Sequence, residues 1–181
     1  MFRLLLIITS TFLIFNTKAD DKERIIENLN NTFNLIFEFE QDINGKIERG
    51  NCIIQYPKKM NCVYEKNQKT IVSNGKSLVI KTISSYYQYP LKKTPLNMIL
   101  DKKYLINKIY SLKENVIDNS YINFTITENE NEIDIFFDVL SLELIGWKTK
   151  DIYQNTAITL LTSVSKNQNI KKGLFDLPSP D

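Results

Sequence analysis

Residues 50–100 read GNCIIQYPKKMNCVYEKNQKTIVSNGKSLVIKTISSYYQYPLKKTPLNMIL, a run of extended segments that ends in a short apolar helix. Asn74-Gly75 lies between two apolar stretches, residues 71–73 and 77–81. That dipeptide suits the two positive-φ positions of a type I′ turn and predicts a hairpin pairing Ile71 with Leu78. Ile71, Leu78 and Ile80 then share a face. An earlier hairpin runs from Gly50–Tyr56 to Met60–Glu65 through Pro57-Lys58-Lys59, where Pro sets φ for the turn. Thr94-Pro95 has the form of a helix start, Thr as cap and Pro at the first turn. Leu96, Ile99 and Leu100 follow as one stripe.

Upstream, Ile25, Leu29 and Phe33 recur every fourth residue behind an acidic start, which predicts a helix over residues 21–33. Residues 35–43 alternate Leu35, Phe37 and Phe39 with Glu38 and Glu40, the pattern of a half-buried strand. Asn44-Gly45 is a turn. In the hairpin beyond it, Cys52, Ile54 and Tyr56 share a face, as do Met60, Cys62 and Tyr64. Tyr86, Tyr87 and Tyr89 stud the segment before Pro90. Downstream, Leu105, Ile109 and Leu112 predict a second short helix over residues 102–112. Residues 122–126, 133–137, 142–150 and 157–165 read as strands, with a turn at Tyr153-Gln154-Asn155. Fold class is mainly β with short helices (α+β), a large antiparallel sheet.

Residues 1–19 read as a secretory signal: Arg3, an apolar core of about a dozen residues, and small residues at 17 and 19. Cleavage after Ala19 would leave residues 20–181 as one domain. The chain carries 23 Lys and Arg against 21 Asp and Glu. Arg3 and Lys18 account for the excess, so the remainder is balanced, which argues against a nucleic-acid partner. Export would put Cys52 and Cys62 where a disulfide can persist. Their closeness depends on the turn register, so a bridge and a pair of small apolar residues both remain open.

The chain has no His, which removes the commonest general base and the Ser-His and Cys-His pairs. No Gly-rich phosphate loop is present. The carboxylates Glu38 and Glu40, and Glu130, Glu132 and Asp134, read as a solvated strand face. Enzyme chemistry is therefore not expected, nor any cofactor or metal. The apolar face must be buried by helices, around either a dry core or a lipid-sized cavity. Periodicity does not choose, because one stripe of Leu, Ile and Tyr lines both.

In order, Phe39-Glu40-Gln41, GNCIIQYPKKMNCVY, IVSNGKSLVI, YPLKKTPLNMIL, LIGWKTKD, QNTAITL and LFDLPSP resemble successive motifs of the periplasmic outer-membrane lipoprotein carrier (LolA-type) family. The resemblance covers about residues 21–180 and rests on the collinear order. It implies an incomplete, curved antiparallel β-barrel with helices as a lid over its concave face. It implies a periplasmic carrier of triacylated lipoproteins, a monomer that loads at an inner-membrane ABC transporter and unloads at an outer-membrane receptor. By the same resemblance Phe37, Phe39, Cys52, Ile54 and Tyr56 line a lipid-binding cavity with Met60, Cys62, Tyr64, Leu78 and Ile80. Ile25, Leu29, Leu96, Ile99 and Leu100 belong to the lid. Family members commonly carry Arg immediately before the turn Pro, where it is thought to hold the lid closed. Here that position is Tyr56, which is expected to reach the lid through its hydroxyl. The same shape would also serve a lipid or hydrophobic-ligand sensor that regulates a membrane partner.

Overall fold

Alternating apolar and polar residues become eleven strands in a computed structural model that describes residues 20–128, 131–150 and 154–180. The proposed signal segment, Glu130 and Tyr153 lie outside the described residues. Helix α1 (Asp21–Asn30) leads into β1 (Asn34–Ile43), β2 (Lys46–Gln55), β3 (Lys59–Tyr64), β4 (Thr70–Asn74), β5 (Ser77–Lys81) and β6 (Tyr86–Pro90). A 3₁₀ turn (Leu91–Lys93), α2 (Leu96–Leu100) and α3 (Lys102–Ser111) follow. The chain closes with β7 (Asn115–Ile117), β8 (Tyr121–Glu128), β9 (Asn131–Asp138), β10 (Leu144–Lys150) and β11 (Thr156–Lys166).

All pairings are antiparallel, in the order β6-β5-β4-β3-β2-β1-β11-β10-β9-β8-β7. Two meanders thus join where β1 meets β11, and the sheet stays open with β6 and β7 as edges. Leu78 on β5 and Trp147 on β10 line the same cavity although six inter-strand steps separate them. A flat sheet would hold them about 29 Å apart, so the sheet is strongly curled. The segment from β6 to β7 joins its two edges, and that segment is the helical one. Ile25, Leu29, Ile99, Leu100, Leu105 and Ile109 from the helices share one buried cluster with Phe37, Ile54, Phe124 and Phe137 from the sheet.

α1 and α3 are also tied end to end. Lys102 Nζ, at the start of α3, donates to the carbonyls of Asn30 (3.0 Å) and Thr32 (2.8 Å) at the end of α1. Lys22 Nζ, at the start of α1, donates to Leu112 O at the end of α3 (2.7 Å). Each lysine places a cation on the otherwise unpaired carbonyls of the other helix. Burial holds the Lys102 ammonium below its usual pKa.

Several expectations need correction. α1 ends at Asn30, not Phe33; Phe33 is 66% exposed and off the buried stripe. Asn44-Gly45 has positive φ at both residues (52° and 83°). At Asn74-Gly75 only Gly75 has positive φ, and Asn74 Oδ1 accepts from the amides of Lys76 and Ser77. The loop is longer, so Leu78 pairs with Ser73 and Ile71 with Ile80. A shift of two residues conserves side-chain parity, and the predicted face survives. Thr94 does not cap α2; its hydroxyl donates to Leu91 O (2.8 Å). The tyrosine segment is the edge strand β6, and β7 is a strand with no expectation behind it.

Gly50 shows why one position tolerates no side chain. It pairs with Phe39 on one side and Tyr64 on the other. A Cβ there would lie 2.2 Å from Val63 O and 2.9 Å from the Phe39 ring. The bare backbone lets those two rings meet edge-on at 4.8 Å. On the convex face, Val72 and Val79 are buried as well. The C-terminal segment is held there by Asn61 Nδ2 on Leu174 O (2.6 Å) and by Lys59, 5.9 Å from the Phe175 ring centre.

Candidate functional site

The curled sheet and α2 line a half-open cavity of about 410 Å³. Its wall is built by strand parity. Every second residue of β1 faces inward, so Phe37, Phe39, Gln41 and Ile43 follow one another along it. β3 adds Met60, Cys62 and Tyr64, β5 adds Leu78 and Ile80, and α2 contributes Leu96. Cys52 and Cys62 are direct cross-strand partners and form a disulfide in this wall.

Of the residues named from sequence, Phe37, Phe39, Cys52, Met60, Cys62, Tyr64, Leu78, Ile80 and Leu96 line the cavity. Ile54 does not; it is fully buried in the cluster under the helices. Ile25, Leu29, Ile99 and Leu100 belong to that same cluster and not to the cavity lining. Tyr56 is also outside the lining. Its hydroxyl is enclosed and has no hydrogen-bond partner among the described residues. Burial pushes the phenol above its usual pKa.

The expected tie from Tyr56 hydroxyl to helix is therefore absent, and Lys58 supplies one instead. Its amide donates to Leu100 O at the end of α2 (2.8 Å). Its Nζ lies 2.9 Å from Asp101 Oδ2. The other oxygen of Asp101 accepts from the Tyr104 amide and caps α3 (3.2 Å). Ser73 Oγ donates to Lys58 O (2.7 Å), which anchors the β2–β3 turn to β4. Lys58 sits at positive φ (67°), which brings its amide to α2.

Sequence reasoning passed over Gln41, Trp147 and Thr159, all in the lining. Gln41 keeps the alternation of Phe37 and Phe39 and could have been found that way. Thr159 and Trp147 could not, because they reach the site only through the β1–β11 and β10–β11 pairings. The polar lining is linked. Tyr64 Oη donates to Gln41 Oε1 (3.0 Å), and Gln41 Nε2 donates to Thr159 Oγ1 (2.9 Å). Lys69 Nζ bridges to Glu48 (2.7 Å) and stands 3.9 Å from the Tyr64 ring centre. Burial alone would raise the Glu48 pKa; hydrogen bonds from Lys69 and Lys46 outweigh it and hold the carboxyl below its usual range. Burial, with the Glu48 charge, pushes the Tyr64 phenol up.

The model of the outer membrane lipoprotein carrier protein LolA family matches residues 16–178. No curated protein matches the chain. Among solved structures, an uncharacterised conserved protein from Thermus thermophilus aligns at TM-score 0.51 and 6% identity, over 90% of this chain and 96% of that one. A LolA superfamily protein from Nitrosomonas europaea aligns at TM-score 0.46 and 8% identity, over 88% and 99%. LprF from Mycobacterium bovis aligns at 0.43 and 10%, over 84% and 94%. The Thermus likeness is one of fold.

Proposed function

The chain belongs to the LolA family of outer membrane lipoprotein carrier proteins, and from that membership we propose that it carries lipoprotein acyl chains between membranes. The protein works in the periplasm without catalysing a reaction. It takes triacylated lipoproteins from an inner-membrane ABC transporter and delivers them to an outer-membrane receptor. The observation that carries this reading is the apolar cavity whose lining includes Leu96 of α2. Each acyl methylene removed from water contributes about 0.8 kcal/mol, so acyl chains do not cross water unshielded. A carrier must shield them and still release them. A wall of strands with a short helix as its movable side meets both needs, and loading shifts the population toward the open form. Lys58 holds the closed form through one backbone and one ionic contact with the α2–α3 junction. Among the described residues no helix is long and apolar enough to cross a membrane.

The test is extraction. Membrane vesicles bearing an acylated lipoprotein and its transporter are incubated with the purified protein, and lipoprotein in the soluble fraction is measured. Release that falls sharply in Leu78→Trp, which fills the cavity from β5, supports the carrier. Absence of soluble lipoprotein with the unaltered protein refutes it.

A further inference from the structure

The cavity is not uniform. One part is apolar, walled by Phe37, Met60, Leu78 and Leu96. The other is the linked set Tyr64, Gln41 and Thr159, with Lys69 beside it. Tyr64 and Thr159 are only 6% and 3% exposed, so this polar group is built into the wall. Its hydrogen bonds all run one way, toward Thr159. The Thr159 hydroxyl accepts from Gln41, which leaves its own proton without an acceptor among the described residues. Gln41 Nε2 carries two protons and Lys69 Nζ three, and each group donates to a single acceptor among the described residues. The set offers donors, and an acceptor-rich group is its complement. Among the described residues, Lys69, Lys93 and Lys150 line the cavity with Glu132, and Glu48 pairs with Lys69.

Volume sets the number of tails. At the packing density of organic solids a methylene fills about 27 Å³. The cavity of about 410 Å³ then holds about 15 carbons. That is the scale of one long acyl chain.

We propose that this cavity is a site for one single-chain anionic amphiphile, its tail among Phe37, Met60 and Leu96 and its carboxylate or phosphate against Thr159, Gln41 and Lys69. This deepens the carrier reading and rests on it in taking this cavity as the place for acyl chains. It adds that the protein without lipoprotein cargo is a receptor for a fatty acid or a one-chain phospholipid.

Trp147 is the only tryptophan, lines the cavity, and pairs directly with Thr159. Its ring also meets Phe37 edge-on at 6.3 Å, so it reports occupancy of the cavity. Delipidated protein is titrated with hexadecanoate, hexadecyl phosphate, the one-chain phospholipid lysophosphatidylglycerol, and neutral monopalmitoylglycerol. Binding is followed by tryptophan emission, with 2-bromohexadecanoate and 16-bromohexadecanoate as quenchers. Saturation at one ligand per protein is expected, with anions bound about tenfold tighter than the neutral amphiphile. The relative affinities of carboxylate, simple phosphate and phospholipid identify which source the site prefers. Thr159→Val and Lys69→Gln should each remove most of the preference for anions over the neutral ligand. Equal affinity for neutral and anionic chains overturns the proposal, as does saturation at three ligands or no quenching at all. The ligand series on unaltered protein decides the matter even if a variant fails to fold. Protein that extracts lipoprotein yet shows no binding of single chains refutes this inference and leaves the carrier standing. Binding of single chains without extraction does the reverse.

Discussion

The tie between Lys58 and Asp101 can be measured because two of its parts separate. Lys58 Nζ lies 2.9 Å from Asp101 Oδ2, with the two side chains 36% and 25% exposed. Exposed ion pairs contribute 0.2–1 kcal/mol, and partial shelter puts this one near the top, about 1 kcal/mol. The second part, Lys58 N–H on Leu100 O, uses no side-chain atom and survives substitution. That amide is therefore a reporter of α2 leaving the β2–β3 turn. Asp101→Asn removes the charge and keeps a good cap for α3. Lys58→Met keeps the stem and removes the ammonium. Each should speed exchange of the Lys58 amide about fivefold, the factor that corresponds to 1 kcal/mol. The double variant should add little beyond either single one, since both break the same contact. Hydrogen exchange read at single-residue resolution is the assay. The effect should shrink in molar salt, where the Debye length falls to about 3 Å. Strictly additive effects, or an exchange rate indifferent to both substitutions, would refute the claim that this pair restrains α2.

Three further outcomes are expected. Replacing Cys52 and Cys62 together by Ala opens a loop with sequence separation 10 and should lower stability in urea by about 2.5 kcal/mol; a change under about 0.5 would show that the bridge adds nothing to the fold. Gly50→Ala drives a Cβ into the Val63 carbonyl and the Phe39 ring and should destabilise by at least about 2 kcal/mol, read as a shift in the thermal midpoint; a neutral result would mean that β2 and β3 can part there without penalty. Burial pushes the Asp134 carboxyl up, but hydrogen bonds from Lys148 and Thr125 and the Lys148 charge more than offset it, so its pKa lies below the ordinary 3.8. A depressed carboxylate contributes stability that is present above 3.8 and lost as pH falls through its folded value. Asp134→Asn should therefore lower stability at pH 7 and flatten the acid limb below pH 4, and an unchanged acid limb would argue against the pairing.

Much of the wall could be read from the chain because a strand's side chains alternate whatever lies beside it. Phe37 and Phe39, or Met60, Cys62 and Tyr64, share a face in any register, and even the wrong turn at Asn74-Gly75 left Leu78 and Ile80 inward. The short helices after Thr94 and Asp101 were legible for a similar reason, since their apolar stripes repeat locally. What periodicity could not separate was Ile54 from Cys52. Both are inward on β2, yet one lies under the helices and the other faces the cavity. That difference depends on how far along the strand the helices reach, which is a long-range matter. The disulfide was undecided for the same reason until register made Cys52 and Cys62 direct partners.

The sequence by itself determined most of the elements, their inward faces and, through the ordered motifs, the family. Only the tertiary structure decided which inward residues meet space and which meet other residues. It also moved the hold on α2 from Tyr56 to Lys58, two positions along the same turn. The physical reason is that a contact between the β2–β3 turn and the α2–α3 junction joins residues about 40 positions apart. Local patterning carries no information about which amide or ammonium will arrive there. The donor set of Gln41, Thr159 and Lys69 arises in the same way, from β1, β11 and the β3–β4 loop, which meet only when β1 pairs with β11 and the sheet curls.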